Sequence, residues 1–366
     1  MIQTLKKATG RNIQTCIAGA GKALPSRIVP NSEFEGNLDT TDEWIRTRTG
    51  IQERRFAESH ETTSQYAALA AERALASAGY RAEDIDLIIL STTTPDKRMP
   101  STANIVQQAI GAHNAYGYDI SVACSGFVFA LASAHAQIQA GLAQRALVIS
   151  AEIYSSIIDF SDRNTCILFG DGAGAVVLEG NVNRGTGEEE GWEQLFSTGY
   201  STTQSAFRVP RSAMDSGIIA ISLHSEGKGT DILTCEGGGT QGRMGLKTRE
   251  AGMIRMDGKK VFKMAVRAIA ERIREVLDKA GVTIDDVACV VPHQANIRII
   301  ERLARQFDCS MSKMVINLDR YGNTSSASVP IALCEAMETG RANRGDLVLC
   351  AAAGAGFSSG AVLIRL

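Results

Sequence analysis

Residues 78–89 read AGYRAEDIDLII, and residues 280–291 read AGVTIDDVACVV. Each segment starts with Ala-Gly at the end of a helix-like stretch, passes through an acidic turn and finishes in a short apolar run. A glycine after a helical pattern, followed by an apolar run of strand length, is typical of a helix-to-strand connection. Because the same order of residue types returns at an offset of 202, the chain is predicted to contain an internal repeat.

Two further pairs of segments follow in the same order. Cys124 begins an alanine-rich helical stretch that stops at Gly141, and Asn323 begins a similar stretch that stops at Gly340. This spacing pairs Cys124 with Asn323 at an offset of 199. The apolar runs that come next agree with it, since they read ALVI at 146–149 and DLVL at 346–349.

The repeat predicts how the chain is organised. Helical patterns alternate with short strands rich in valine, isoleucine and leucine, so we expect an α/β fold of two pseudo-equivalent halves whose largely parallel sheets are covered by helices. Glycine, serine, threonine and charged residues dominate the segment between the halves. The predicted boundaries are 12–180 for the N-terminal half, 181–252 for an insertion and 253–366 for the C-terminal half.

Composition and charge exclude several classes of function. The chain of 366 residues carries 38 basic and 40 acidic side chains, a net charge of −2. A nucleic-acid or membrane-surface binder needs a basic surplus, so neither partner is expected. No apolar run approaches the ~20 residues of a membrane span, and residues 1–12 do not resemble a secretory signal.

Eight cysteines are scattered along the chain without a CxxC pair. Neither a zinc site nor a disulfide framework is therefore predicted, and we expect no metal and no resident cofactor. A reduced, cytoplasmic protein whose cysteines are mostly small apolar side chains is the simplest interpretation.

Cys124 differs from the other cysteines in its position. It follows a strand-like run and begins a helical stretch, between the small residues Ala123 and Ser125. A helix N-terminus presents free N–H groups and the positive end of the helix dipole, both of which favour a thiolate. Cys124 is thus a candidate nucleophile, although a buried core cysteine remains the alternative.

His293 and Asn323 are the other candidates for chemistry. His293 follows the apolar strand 289–292, and sites gather at strand ends of parallel sheets. Asn323 precedes a helix, where a plain N-cap is the alternative interpretation, as a structural histidine is for His293. If the paired helix N-termini face one pocket, Cys, His and Asn form an acyl-transfer constellation.

The segments around these residues resemble β-ketoacyl-acyl-carrier-protein synthase III. The resemblance covers nearly the whole chain after about Asn12 and implies the duplicated thiolase-like fold, with layers in the order α-β-α-β-α. The matching motifs are TDEWI (41–45), TRTGI (47–51), ACSGF (123–127), FGDGAGA (169–175), VPHQANIRII (291–300) and YGNTSSASVP (321–330).

The resemblance implies a decarboxylative Claisen condensation that initiates type II fatty acid synthesis. Cys124 takes the acyl group of an acyl-CoA primer, and CoA leaves. Malonyl-acyl-carrier protein then loses CO2, and the carbanion attacks the acyl-enzyme to give a 3-oxoacyl product. His293 and Asn323 donate hydrogen bonds to the thioester oxygen, while the backbone N–H groups of Cys124 and Ala355 form an oxyanion hole.

The resemblance also implies how substrates and partners bind. The partners are acyl-CoA, the acyl carrier protein and a second copy in a homodimer. A narrow tunnel for the phosphopantetheine arm is expected to lead to Cys124. The implied CoA- and arm-binding residues are Thr40, Trp44, Arg48, Arg163, Gly258 and Asn296. The implied carrier-docking residues are Lys263, Arg298 and Arg305.

Several residues depart from the family pattern. Ala355 replaces a glycine, where a positive φ would be strained, and Ala353 replaces a phenylalanine. Ser359 stands where the family usually has tryptophan. Met99 stands where the family has a primer-pocket side chain. The primer and pathway therefore stay open, with polyketide, quinolone, biotin-precursor or hydrocarbon synthesis as alternatives. A degradative thiolase using Cys350, or a non-catalytic scaffold, is the further alternative.

Overall fold

The computed structural model describes residues 13–182, 216–237 and 252–366. Its α-helices are α1 (Asp42–Thr49), α2 (Thr63–Ala78), α3 (Thr102–Ile110), α4 (Gly126–Gln139), α5 (Arg163–Cys166), α6 (Gly258–Ala280), α7 (Ile297–Gln306), α8 (Leu318–Tyr321) and α9 (Ser328–Glu338). The strands are β1 (Ile13–Ala23), β2 (Arg27–Pro30), β3 (Glu53–Phe56), β4 (Leu87–Ser91), β5 (Tyr116–Ile120), β6 (Arg145–Glu152), β7 (Gly172–Val182), β8 (Gly217–Ser225), β9 (Leu233–Cys235), β10 (Ile254–Met256), β11 (Cys289–Pro292), β12 (Leu347–Gly354) and β13 (Ser358–Arg365).

Each half contains one mixed sheet. The N-terminal sheet has the order β1-β7-β6-β4-β5, with parallel pairing among β6, β4 and β5 and antiparallel pairing at β7. The C-terminal sheet has the order β8-β13-β12-β11 and repeats the same pattern of directions. The two pseudo-equivalent halves are therefore visible in the topology, although the sheets are less parallel than the strand patterns indicated.

The position of β8 corrects the predicted insertion. Residues 181–252 were expected to lie outside both halves, yet Gly217–Ser225 pairs antiparallel with β13 and occupies the place that β1 has in the first sheet. The strand has 9 residues, but the composition of the surrounding segment gave no sign that it belongs to the C-terminal sheet. Part of the segment 181–252 thus belongs to the C-terminal half, and residues 183–215 and 238–251 lie outside the described residues.

The layers follow from the apolar faces of the helices. Phe127 and Leu131 of α4 and Val329 and Leu333 of α9 lie in one buried cluster with strands of both sheets. Helices α2 and α3 cover the other face of the N-terminal sheet, and α6 and α7 cover that of the C-terminal sheet. The expected α-β-α-β-α order is thereby confirmed. In the described part of the chain, none of the helices combines the length and apolar character needed to cross a bilayer.

The Ala-Gly motifs end their helices as the sequence predicted. Gly79 and Gly281 follow α2 and α6 with φ of 72° and 67°, and each donates its N–H to carbonyl groups of the last turn. This left-handed C-cap strongly favours glycine because a Cβ makes a positive φ sterically unfavourable in other residues. The repeated motif therefore encodes one structural event twice.

The pairing of the two central helices differs from the prediction at one end. The 3₁₀ turns Ala123–Ser125 and Ser325–Ala327 precede α4 and α9, and the first residue of each has a positive φ, 45° and 50°. The counterpart of Cys124 is therefore Ser326, and Asn323 lies three residues earlier. Because α9 is three residues shorter than α4, the offset measured from Gly141 and Gly340 did not hold at the helix starts.

Candidate active site

Cys124 lies in a tight turn at the start of the central helix α4. The turn places Ala123 in the left-handed region, where a residue with a Cβ is rarely found outside functional sites. Gly126 lets the helix approach the end of β4, since a Cβ there would overlap Ser91 Oγ. Cys124 is only 5 % exposed, so a substrate has to reach it through a narrow approach.

The end of β12 lies against the backbone of Cys124. A Cβ on Gly354 would lie 2.6 Å from the Cys124 nitrogen, so the close approach requires glycine. The strain expected at Ala355 does not occur: among the described residues other than glycine, the positive φ values belong to Ala123, Asp308 and Ser325. The positive φ occurs at Gly356 instead, where it is 129° and where glycine has no Cβ to oppose it. Ala355 therefore contributes its backbone N–H at this position without a conformational penalty.

The electrostatics of Cys124 oppose the expectation of a resting thiolate. Burial raises the pKa of the Cys124 thiol to about 11, more than its hydrogen bond with Ser325 lowers it. The cost of removing a sulfur anion from water outweighs its stabilisation by the N-terminus of the helix. At neutral pH the resting group is the thiol, and its proton must leave when the sulfur attacks.

Asn323 reaches Cys124 through Ser325. The backbone N–H of Ser325 donates to Asn323 Oδ1 at 2.9 Å, which fixes the oxygen end of the amide. The Ser325 hydroxyl lies 3.5 Å from Cys124 Sγ. No hydrogen bond in the described part of the chain uses Asn323 Nδ2, so the donor end of the amide is available to a ligand.

His293 is held at the end of β11 by the start of α9. Its Nδ1 lies 2.7 Å from Ser328 Oγ, and that oxygen also accepts the backbone N–H of Gln294 at 3.3 Å. The Ser328 hydrogen is therefore free to point at Nδ1, which assigns the ring proton to Nε2. Burial lowers the pKa of His293 to about 4, so the ring is neutral at pH 7 and presents Nε2–H as a donor.

We expect Ser328→Ala to slow decarboxylation of a malonyl thioester about tenfold. The substitution removes a hydrogen bond worth ~1.4 kcal/mol, so the ring proton of His293 is no longer held on Nε2. The rate of CO2 release measures the effect, and acylation of Cys124 should stay near its wild-type rate. Ser328→Thr keeps a hydroxyl and should recover most of the activity. Equal CO2 release in Ser328→Ala and the wild type would show that the serine does not set the tautomer.

Cys350 has the surroundings of a core residue. It lies in the middle of β12, fully buried in the apolar cluster that joins the two sheets. Burial raises the pKa of the Cys350 thiol far above its ordinary value. A second cysteine serving as acid and base, as the thiolase alternative requires, has no support in this position.

Three of the predicted nucleotide-binding residues, Trp44, Arg48 and Arg163, lie in contact with one another. The guanidinium groups of Arg48 and Arg163 lie 4.5 and 4.7 Å from the centre of the Trp44 ring. The buried Thr40 Oγ1 has no hydrogen-bond partner among the described residues. Asn296 uses Oδ1 to cap α7 at the Arg298 nitrogen, and Gly258 is exposed at the start of α6. Stacked cations and an unpaired hydroxyl are features that a polar, aromatic ligand can use.

The predicted docking residues are exposed on two neighbouring helices. Lys263 lies on α6, whereas Arg298 and Arg305 lie on α7. Arg305 is partly neutralised by Glu301, 3.4 Å away. Met99 lies in the loop before α3 and is 82 % exposed, so one chain alone does not bring it into an enclosed pocket with Cys124. Its role in primer selection stays a prediction.

Comparison with known proteins identifies the family. A family model described as 3-oxoacyl-[acyl-carrier-protein (ACP)] synthase III C terminal matches residues 277–366, and one described as 3-oxoacyl-[acyl-carrier-protein (ACP)] synthase III matches residues 118–193. The β-ketoacyl-[acyl-carrier-protein] synthase III of Rhodobacter capsulatus is 46% identical over 354 residues, which cover 96% of this chain and 99% of that protein. The chain belongs to the β-ketoacyl-acyl-carrier-protein synthase III family.

Solved structures of synthase III enzymes have the same fold. The 3-oxoacyl-[acyl-carrier-protein] synthase III of Aquifex aeolicus superposes with a TM-score of 0.82 at 43% identity, covering 96% of this chain and 100% of that one. The priming β-ketosynthase of the R1128 polyketide pathway also gives 0.82, at 33% identity and 96% coverage of both chains. The same fold is thus found in an enzyme of a polyketide pathway.

Sequence reasoning missed several polar residues behind Cys124. Ser325, Ser326 and Ser328 lie in the NTSSAS motif, where only Asn323 was given a chemical role. Glu152 ends the apolar strand β6, and Tyr154 follows two residues later. A single carboxylate at the last position of a buried strand was the available signal, because sites form at the carboxyl ends of parallel strands.

Proposed function

We propose that this synthase III family member condenses an acyl-CoA primer with malonyl-acyl-carrier protein, releasing CoA and CO2, as the initiating step of type II fatty acid synthesis. The observation that carries the proposal is the convergence of Cys124, Asn323 and His293 on one short segment, 323–328, next to the end of β12. Full-length identity to synthase III enzymes supports the same reaction.

The proposed roles follow from which atoms are available. Cys124 Sγ attacks the primer thioester, and the backbone N–H groups of Cys124 and Ala355 receive the developing oxyanion. In the second half-reaction, His293 Nε2–H and the Asn323 amide donate to the thioester oxygen of the malonyl group as CO2 leaves. Two neutral donors suit this step because they stabilise the negative charge of the enolate. They carry no positive charge that would hold the malonyl carboxylate before CO2 leaves.

The cluster around Trp44 supports a nucleotide site at the surface end of the approach. A purine that stacks on Trp44 replaces one of the two guanidinium groups, and Arg48 or Arg163 then lies close enough to pair with phosphate. Gly258 and the partly exposed Asn296 supply surface for the pantetheine arm, and the buried, unpaired Thr40 hydroxyl would need a small shift to bond to it.

Two protein partners are proposed. An acidic carrier can dock briefly on three exposed cations, Lys263, Arg298 and Arg305. Charge complementarity of this kind raises the rate of association more than it raises the affinity. The strand β5 lies at an edge of the N-terminal sheet, and an unpaired edge is a ready surface for a second copy of the chain. The eight cysteines are all free thiols, which supports a reduced, cytoplasmic location.

The decisive experiment is intact-mass measurement of the protein after exposure to acetyl-, branched, medium-chain and dicarboxylic acyl-CoAs. We expect one class to add a single acyl group at Cys124, and subsequent malonyl-acyl-carrier protein to remove it as a 3-oxoacyl product. Cys124→Ala should gain no mass. A preference for a branched, long or dicarboxylic primer would favour a specialised pathway, and no acylation by any primer would contradict the proposal.

A further inference from the structure

A chain of hydrogen-bonded hydroxyl groups leads away from the nucleophile. Ser325 Oγ lies 3.5 Å from Cys124 Sγ and 2.9 Å from the Tyr154 hydroxyl. The Tyr154 oxygen lies 3.2 Å from Thr93 Oγ1, which lies 3.0 Å from Glu152 Oε2. Each hydroxyl can accept one hydrogen bond and donate another, so the links form a continuous path from a thiol to a carboxylate.

Glu152 is a buried acid for which the proposed reaction has no role so far. Its Oε2 accepts the backbone N–H and the hydroxyl of Thr93 and the hydroxyl of Thr94, at 3.0, 3.0 and 2.9 Å. Its Oε1 accepts the Ser326 hydroxyl at 2.8 Å. These partners are neutral donors, and burial raises the pKa of Glu152 above its ordinary value. Such a carboxylate is satisfied when ionised and can also take up a proton.

The three residues assigned to catalysis do not include an acceptor for the thiol proton. His293 already carries its proton on Nε2, because Nδ1 is the atom that faces Ser328. Asn323 and the backbone N–H groups are donors. The chain through Ser325 is the path that the described residues offer.

We propose that Ser325, Tyr154 and Thr93 relay the thiol proton of Cys124 to Glu152, which keeps it while Cys124 is acylated. The inference rests on the proposed acyl transfer and adds the proton acceptor that this transfer needs. Glu152 is buried and three side chains separate it from Cys124, so its part is to take and return one proton.

The proton balance closes over one cycle. Cys124 donates its S–H proton to Ser325, Ser325 donates to Tyr154, Tyr154 to Thr93, and Thr93 to the Glu152 carboxylate. The sulfur electron pair forms the bond to the acyl carbon, and CoA leaves as a thiolate that takes a proton from water. Condensation later breaks the same bond and returns the pair to sulfur. The proton on Glu152 then travels back and restores the thiol, so the cycle consumes one proton from solvent.

The charges around Cys124 determine whether a substitution of Glu152 raises or lowers the reactivity of the thiol. The titratable groups that act on one another here are Glu152, Tyr154 and Cys124, and an ionised Glu152 raises the pKa of Cys124. If Glu152 acts only through its charge, Glu152→Gln makes the thiolate easier to form and Cys124 more reactive. If Glu152 accepts the proton, the same substitution makes Cys124 less reactive at neutral pH.

The experiment measures alkylation of Cys124 by iodoacetamide between pH 6 and 9, followed by mass spectrometry of the Cys124 peptide. For the wild type we expect a rate that changes little above pH 7. For Glu152→Gln we expect a rate about 100-fold lower at pH 7, typical of a lost general base, that climbs about tenfold per pH unit. A rate at pH 7 equal to or above that of the wild type overturns the proposal.

Tyr154→Phe provides a second test if Glu152→Gln does not fold, because it breaks the path and keeps the ring. It should show the same loss and the same steep pH profile. The matched control is Tyr66→Phe, which removes the hydroxyl of another buried tyrosine outside the path and should leave the profile unchanged. Equal profiles for the two variants contradict the relay.

Decarboxylation separates this proposal from the proposed function. In a Cys124→Ala background no thiol proton has to move, so Glu152→Gln should leave CO2 release from malonyl-acyl-carrier protein unchanged. Loss of CO2 release there would assign Glu152 to the shape of the site and overturn the relay. If Cys124 instead gains no acyl mass in the wild type, the proposed function fails and the alkylation result stands by itself.

Discussion

Replacing Cys124 with alanine is expected to reduce condensation by at least about 10³-fold while leaving decarboxylation of malonyl-acyl-carrier protein largely intact. The two activities separate because the acyl bond is made only by the sulfur, whereas the charge of the enolate is received by His293 and Asn323. Removal of one small side chain also opens space beside Gly354 without disturbing either donor.

The measurement follows acyl mass on the protein and CO2 release from the same preparation. Cys350→Ala is the matched control, since it removes an equally buried thiol from the middle of β12 and should keep condensation. If Cys350→Ala abolished condensation and Cys124→Ala did not, the assignment of the nucleophile would be wrong.

His293→Ala is expected to show the opposite division of effects. Decarboxylation should fall about 10²- to 10³-fold, the loss typical of one oxyanion donor, while Cys124 still accepts an acyl group from acyl-CoA. The neutral ring is the reason: with its pKa lowered to about 4, it contributes a donor to the enolate and no charge to the thiol.

His293→Gln tests the donor directly, because its amide presents an N–H close to the position of Nε2. We expect it to recover part of the CO2 release lost in His293→Ala, and the residual rate should not vary between pH 6 and 8. Loss of Cys124 acylation in His293→Ala to the same extent as CO2 release would instead assign His293 to the thiol proton.

The sequence was sufficient for features that local rules determine. The Ala-Gly pairs at 78–79 and 280–281 predicted two helix ends, because a left-handed cap strongly favours glycine. The strand before Cys124 and the helix after it followed from hydrophobic pattern. Convergence of Cys124 and Asn323 was expected from the repeat, although the residue-by-residue pairing was shifted by three.

Features that depend on the surroundings in three dimensions were not predictable in this way. The thiolate expected at a helix start ignored the cost of removing Cys124 from water, which depends on residues of both halves. The network from Ser325 to Glu152 joins segments more than 170 residues apart, so no spacing rule reports it. The place of strand β8 in the C-terminal sheet was missed because its partner, β13, lies about 140 residues away.

The division of the site between the halves has a consequence for how the enzyme can be assembled. Each half contains its own sheet, but the site takes residues from both halves. The first half supplies Cys124 and Glu152, and the second supplies Ser325, Asn323 and His293. A chain severed between residues 182 and 216 would leave two fragments, each with its own strands and neither with a complete set of reacting groups. Turnover would then report the encounter of the fragments, which makes the enzyme a natural candidate for a complementation reporter.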